Sequence, residues 1–263
     1  MGINVEQLKS KLSVLKSKNS SKKNIWRPKK GSSKIRIVPY TYDKGNPFRE
    51  LYFHYGINGK PSMLSPKTYN EADPFIELSE AMLSEGNLDK EEYKTAKGLE
   101  PKLRTFVPVV VEGEEDQGVR FWGFGIKIYQ KLLEIVSDAD FGDITDPYEG
   151  NWVKVTSRTP EECGNKYGET TIDVLPKPSA VTSDTELMRK ILEEQSKVED
   201  LYPRYTYDEL KFQLDKHVNP DPEKSNTEET TETQQHSENQ TTEQNLDKQA
   251  VLNKFENVLN NSK

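Results

Sequence analysis

Residues 119–129 read Val-Arg-Phe-Trp-Gly-Phe-Gly-Ile-Lys-Ile-Tyr, and the reading of this stretch decides the fold class. From Val119 to Gly125 the chain is apolar and aromatic apart from Arg120, at strand length. From Ile126 to Val136 the apolar spacing turns helical, so a strand is predicted to feed a helix across Gly125. Alternate strand residues share a face, which puts Arg120, Trp122 and Phe124 on one side and Phe121 on the other. Val119 and Gly123 flank Phe121 on its side, so that side is expected to be core. The Arg120–Trp122–Phe124 side is expected to face outward.

Working outward, short strands are predicted at Lys34 to Tyr40, Glu50 to Tyr55, Thr105 to Val111, Trp152 to Thr156 and Thr170 to Leu175. Asn58-Gly59 supplies a tight turn after the second of these. Helices are predicted at Pro74 to Ser84, Asp89 to Lys97, Glu186 to Lys197 and Tyr207 to His217. The class is therefore mainly β with inserted helices, α+β. The strand count suits an OB-fold-like five-stranded barrel, although other small β-barrels share this periodicity.

Charge divides the 263 residues into three zones behind a net −7. Residues 1–30 carry nine basic residues against one acid, Glu6, and read as a flexible basic arm. Within it Val5, Leu8, Leu12 and Leu15 form an amphipathic stripe that precedes the lysine cluster Lys16 to Lys23. Residues 31–218 hold the predicted strands and helices and are net acidic. Residues 219–263 are acidic and low in complexity, as in Thr227-Glu228-Glu229-Thr230-Thr231-Glu232, and are expected to be disordered. Leu246, Ala250, Val251, Phe255, Val258 and Leu259 restore an amphipathic pattern near the end, suited to docking on a partner.

Several classes are excluded. No apolar run approaches the length of a membrane span, and no apolar segment follows the basic start as a secretory signal requires. Cys163 is the single cysteine, so neither an internal disulfide nor a cysteine zinc cluster can form. It is read as an ordinary thiol in a loop of a cytosolic protein. No nucleophile motif, glycine-rich phosphate loop or paired metal-ligand histidines occurs, so no enzyme is expected. Asp138, Asp140, Asp143 and Asp146 lack calcium-loop spacing and read as an acidic surface loop.

What remains is stacking chemistry. A protein that grips single strands without reading sequence needs ring faces for bases and cations for phosphates. Cations and rings interleave in the middle zone: Arg36 with Tyr40 and Tyr42; Arg49 with Tyr52, Phe53 and Tyr55; Lys102 and Arg104 with Phe106; Arg120 with Trp122 and Phe124; then Lys127 with Tyr129. The same surface would suit an RNA-binding regulator, and the acidic surfaces would suit a virion or scaffold interaction protein.

Ile35-Arg36-Ile37-Val38-Pro39, His54-Tyr55-Gly56, Phe121 to Tyr129, and Asp146-Pro147-Tyr148-Glu149-Gly150-Asn151-Trp152-Val153-Lys154-Val155 follow one another in order. Together they resemble the gene-32-type single-stranded DNA-binding proteins of T-even-like tailed bacteriophages, over roughly residues 30–215. The resemblance implies an OB fold that holds single-stranded DNA in replication, recombination and repair, in the cytoplasm of an infected bacterial host. It implies DNA contacts at Arg36, Arg104, Phe106, Arg120, Trp122 and Tyr167, and more loosely at Tyr69 and Tyr93. The arm would support head-to-tail self-association on DNA, with Lys18, Ser20, Ser21, Lys22 and Lys23 similar to the family's basic-serine motif. The acidic tail would recruit phage replication and recombination proteins. One departure stands out. The best-known members hold a zinc ion with one histidine and three cysteines. Here His54 matches the histidine, but the cysteine positions fall near Ser65, Asp73 and Ile76. No cofactor is therefore expected, and Pro74, Phe75, Leu78 and Met82 are expected to pack a small apolar helix instead.

Overall fold

A computed structural model describes residues 24–218 except 85, 139, 140 and 165. The lysine-serine motif of the arm and the acidic tail lie outside the described residues. The described strands are β1 (Ile25–Trp26), β2 (Gly31–Ile37), β3 (Arg49–His54), β4 (Met63–Leu64), β5 (Lys102–Val111), β6 (Arg120–Phe124), β7 (Asn151–Arg158) and β8 (Glu169–Pro178). The helices are α1 (Pro74–Ser84), α2 (Lys90–Leu99), α3 (Ile126–Ser137), α4 (Pro160–Cys163), α5 (Thr185–Glu193) and α6 (Tyr207–Val218). The chain divides into a sheet unit, residues 24–51 and 103–203, and a helical unit, residues 52–102 and 204–218.

In the sheet unit the hydrogen-bonded order is β1-β6-β5-β2-β7-β8. This path does not close on itself, so the expected OB-fold-like five-stranded barrel is corrected to an open mixed sheet. The mixing comes from β1, which runs parallel to β6 with Trp26 opposite Trp122. Ile25 and Trp26, within the span read as the basic arm, thus join the sheet, because an indole is worth burying. Trp26 is only 5 % exposed and meets Trp122 edge-on at 5.6 Å.

Both faces of the central strands are covered, which explains why β5 reads as a continuous apolar run from Phe106 to Val111. On one face Ile35, Ile37, Val107, Val109, Val153, Val155 and Trp122 pack with Leu132 and Ile135 of α3. On the other, Val38 and Val110 pack with Met188 and Ile191 of α5 and with Val181. The outward face expected for Arg120, Trp122 and Phe124 is corrected accordingly: Trp122 and Phe124 are 2 % and 4 % exposed. Phe121 is core as expected, edge-on to Tyr40 at 5.9 Å. Gly123 sits opposite Phe106, whose ring lies so close that a Cβ at Gly123 would stand 2.5 Å from it. The aromatic run therefore needs a glycine between Trp122 and Phe124.

Several boundaries differ from expectation: β2 spans Gly31–Ile37 rather than Lys34 to Tyr40, and β8 spans Glu169–Pro178 rather than Thr170 to Leu175. The helix expected to reach Lys197 ends at Glu193, because Gln195 turns inward and donates to the carbonyls of Pro39 and Ile191. Cys163, expected in a loop, closes the short helix α4, whose Thr159 and Glu162 form a capping box.

In the helical unit Phe53 and His54 of β3 pair with Leu64 and Met63 of β4. Asn58 and Gly59 both take left-handed backbone (φ 48° and 70°), the conformation that a two-residue hairpin turn demands. Pro74, Phe75, Leu78 and Met82 of α1 are buried as expected. They form one core with Ala96 and Leu99 of α2 and with Leu210, Leu214 and Val218 of α6. The Ser79 hydroxyl donates to the Ala96 carbonyl and pins α1 to α2.

Candidate nucleic-acid interface

In the sheet unit the most complete site gathers around Tyr42, which follows the buried end of β2. Its ring is 52 % exposed, and the Lys197 ammonium lies 5.1 Å from its centroid. The Tyr42 hydroxyl donates to the Gln195 carbonyl, which fixes the ring plane. Tyr40 backs it edge-on at 5.4 Å. The Arg49 guanidinium stands 5.8 Å from the Tyr40 ring and pairs with Glu199 at 2.8 Å. That hydrogen bond raises the Arg49 pKa further above its ordinary value. Burial, then the Glu199 charge, pushes the Tyr40 hydroxyl up to about 12, so it stays neutral. The result is an exposed ring with a cation on a hydrogen-bonded base, which is what a stacked nucleotide requires.

A second exposed ring is Tyr167, between α4 and β8, with the Lys166 ammonium 5.7 Å from its centroid. At 72 % exposure it is the most open aromatic among the described residues. Lys127 stands exposed in the first turn of α3, where the helix already presents partial positive charge. Lys34 and Lys154 lie opposite one another on the outer face of β2 and β7, with Lys34 paired to Glu112 at 2.8 Å.

Other expected contacts are enclosed. Arg36 is fully buried beside the Trp152 ring, at 5.7 Å, and donates to the Ser179 carbonyl. Burial, opposed by the Asp146 charge, lowers its pKa to about 10, which still leaves it charged at neutral pH. Phe106 is 4 % exposed, covering Gly123 and meeting Tyr202 edge-on at 5.9 Å. Arg104 donates to the Gly123 carbonyl at 3.3 Å and is half-buried. Arg120 is held by Glu114 at 2.6 Å and by Gln117 at 3.0 Å. The hydrogen bond from Arg120 keeps the Glu114 carboxyl below the usual range.

The helical unit carries its own rings. Arg204 stacks 4.3 Å from the Tyr69 centroid and pairs with Glu71. Lys67 lies 4.8 Å from Tyr52, and Lys60 lies 5.1 Å from Tyr205. Tyr55 and Tyr93 are exposed. Lys102 is exposed as well and donates to the Lys97 carbonyl. Sequence reasoning missed Lys197, Lys67 and Arg204. Tyr42 and Lys197 are 155 positions apart, so no local pattern could pair them.

Two arrangements that resemble enzyme chemistry do not act as such. Ser65, His54 and Asp73 meet, but the Ser65 hydroxyl donates to Asp73 and not to the imidazole, so nothing activates the serine. The carboxylates of Asp143 and Asp146 are spent on turns of their own loop, accepting from Thr145 and from Tyr148 and Glu149.

Tyr42 and Tyr167 are exposed rings, each with a lysine over it, a pairing of the kind that single-stranded nucleic acid engages. The family described as gp32 DNA binding protein like matches residues 29–219. The chain belongs to that family and binds DNA, as the order of its motifs implied. No curated protein matches the chain. No helix among the described residues is long and apolar enough to cross a membrane.

Proposed function

We propose that this protein coats single-stranded DNA without sequence preference and has no enzymatic activity. The observation that supports the reading is the pairing of cations with exposed rings, Lys197 on Tyr42 and Lys166 on Tyr167 in the sheet unit, with Arg204 stacked on the half-buried Tyr69 in the helical unit. Such pairs offer a stacking face to any base and a charge to its phosphate. The OB-type grip, and a role in phage replication, recombination and repair within the host cytoplasm, rest on the family resemblance. So does the assignment of residues 1–30 to head-to-tail cooperativity and of residues 219–263 to recruiting replication and recombination proteins.

Competition binding tests the reading. Oligo-dT, oligo-dC and mixed single strands are expected to compete within a few-fold of one another. Duplex DNA of the same length is expected to compete at least about tenfold more weakly, because paired bases cannot offer their faces. Equal competition by duplex would contradict single-strand binding, and tighter binding of matched RNA would favour the regulator instead.

A further inference from the structure

The zinc ion of the best-known family members can be tested against the residues that stand in its place here. They do not fit it. Both ring nitrogens of His54 are committed, Nδ1 to the Leu99 carbonyl at 2.9 Å and Nε2 to Asp73 Oδ2 at 2.8 Å. Ser65 is a poor zinc ligand, and Cys163 belongs to the other unit. Among the described residues no three histidine, cysteine or acidic side chains gather to hold a metal.

We infer that the His54–Asp73–Ser65 cluster replaces the metal, as a metal-free polar clamp that ties the helical unit together. Four chain segments meet at it. His54 ends β3, Ser65 follows β4, Asp73 leads into α1, and Leu99 ends α2. The Ser65 hydroxyl and His54 converge on Asp73 Oδ2, and the Phe75 amide donates to Oδ1 at 2.9 Å. Ser65 also caps the turn Pro66–Tyr69 by accepting from the Lys67 amide. The Phe75 ring covers the imidazole, with centroids 4.6 Å apart. His54 and Asp73 are each 2 % exposed and Ser65 is fully buried, so each polar contact is made in a dry site.

A carbonyl only accepts, so His54 Nδ1 carries a proton toward Leu99. Asp73 accepts from the Ser65 hydroxyl through Oδ2 and from the Phe75 amide through Oδ1. His54 Nε2 faces the same carboxylate oxygen as Ser65, Oδ2, at 2.8 Å. Burial alone would raise the Asp73 carboxyl, but the hydrogen bonds from His54, Ser65 and Phe75 outweigh it and hold it below the usual range. A tetrahedral metal joins four segments through one ion; the clamp joins four segments through one shared carboxylate and one imidazole.

The test uses the full chain, produced in zinc-supplemented medium. Elemental analysis should find less than about 0.1 zinc per chain, and the melting temperature should not move with 1,10-phenanthroline, since no structural metal couples to folding. Asp73→Asn should lower the melting temperature by about 5–10 °C, because a neutral amide serves both the Ser65 hydroxyl and His54 less well than the carboxylate and leaves a buried polar group poorly paired. Ser65→Ala should lower it by a few degrees, and it keeps the measurement interpretable if Asp73→Asn fails to fold. Stoichiometric zinc, or melting that falls with the chelator, would overturn the inference. So would a metal-free protein in which both variants melt like the parent. None of these readouts depends on DNA, so they stand apart from the binding proposal.

Discussion

Trp122→Ala is expected to destabilise the protein by about 3–5 kcal/mol, the range for truncating a buried large aromatic. Trp122 is 2 % exposed and touches Trp26 and Phe124, with centroids at 5.6 Å and 4.7 Å. It also lies opposite Val107 in the register of β5 and β6. Trp26, held by its parallel pairing, and Val107, held by the sheet, resist collapse into the space. A loss of this size is a large share of the ~5–15 kcal/mol that stabilises a typical domain. Any fall in DNA affinity should therefore track unfolding, and Trp122→Phe should recover much of both. Urea denaturation checks this. A variant with the parent midpoint and lost DNA binding would return Trp122 to the surface role that its strand position suggested.

Tyr42→Ala is expected to do the opposite: weaken single-strand binding roughly 5- to 150-fold, the equivalent of losing one stacked base at ~1–3 kcal/mol, with little change in stability. The ring is exposed and its removal opens no cavity in the core. Lys197→Ala should act differently. It should leave stacking intact and reduce the steepness of salt dependence by about 0.7, the contribution of one phosphate contact on a single strand. Tyr42→Phe, which loses only the hydroxyl bond to Gln195, is the control for ring orientation and should bind nearly as the parent does. Anisotropy of a labelled oligo-dT separates these outcomes. Parent-like affinity in Tyr42→Ala would remove this ring from the interface.

These two residues show how far local pattern carries. The strand-to-helix switch at Gly125 was legible because periodicity is local, as were the Asn58-Gly59 turn and the full extent of α1. Which face of β6 is covered was not legible. Alternation separates two faces but does not say that both are buried. That depended on α3 covering one side and on α5, more than sixty residues further along, covering the other side of the sheet. The loss of barrel closure and the recruitment of Ile25 and Trp26 into the sheet are likewise long-range pairings.

The candidate site divides in the same way. The alternation of cations and rings pointed to stacking chemistry, and of the rings expected at the site Tyr167, Tyr55 and Tyr93 are exposed. Yet Trp122, Phe124, Phe106 and Arg36 are enclosed, since large aromatics and a stacked guanidinium serve the core equally well. The cations that complete Tyr42, Tyr52 and Tyr69 come from distant or unremarked positions. In the helical unit the missing cysteines were plain from the sequence. The polar clamp was not, because Ser65 and Asp73 become partners of His54 only once β3, β4 and α1 meet.

The central claim is that accessible rings and cations hold single-stranded DNA through its bases and phosphates. The most direct test is an anisotropy titration of labelled oligo-dT with the full chain, at about 50 mM and again at about 200 mM salt. Affinity is expected to fall at least about tenfold between the two, as counterion release from several phosphate contacts requires. Weak binding that does not change with salt would contradict the account.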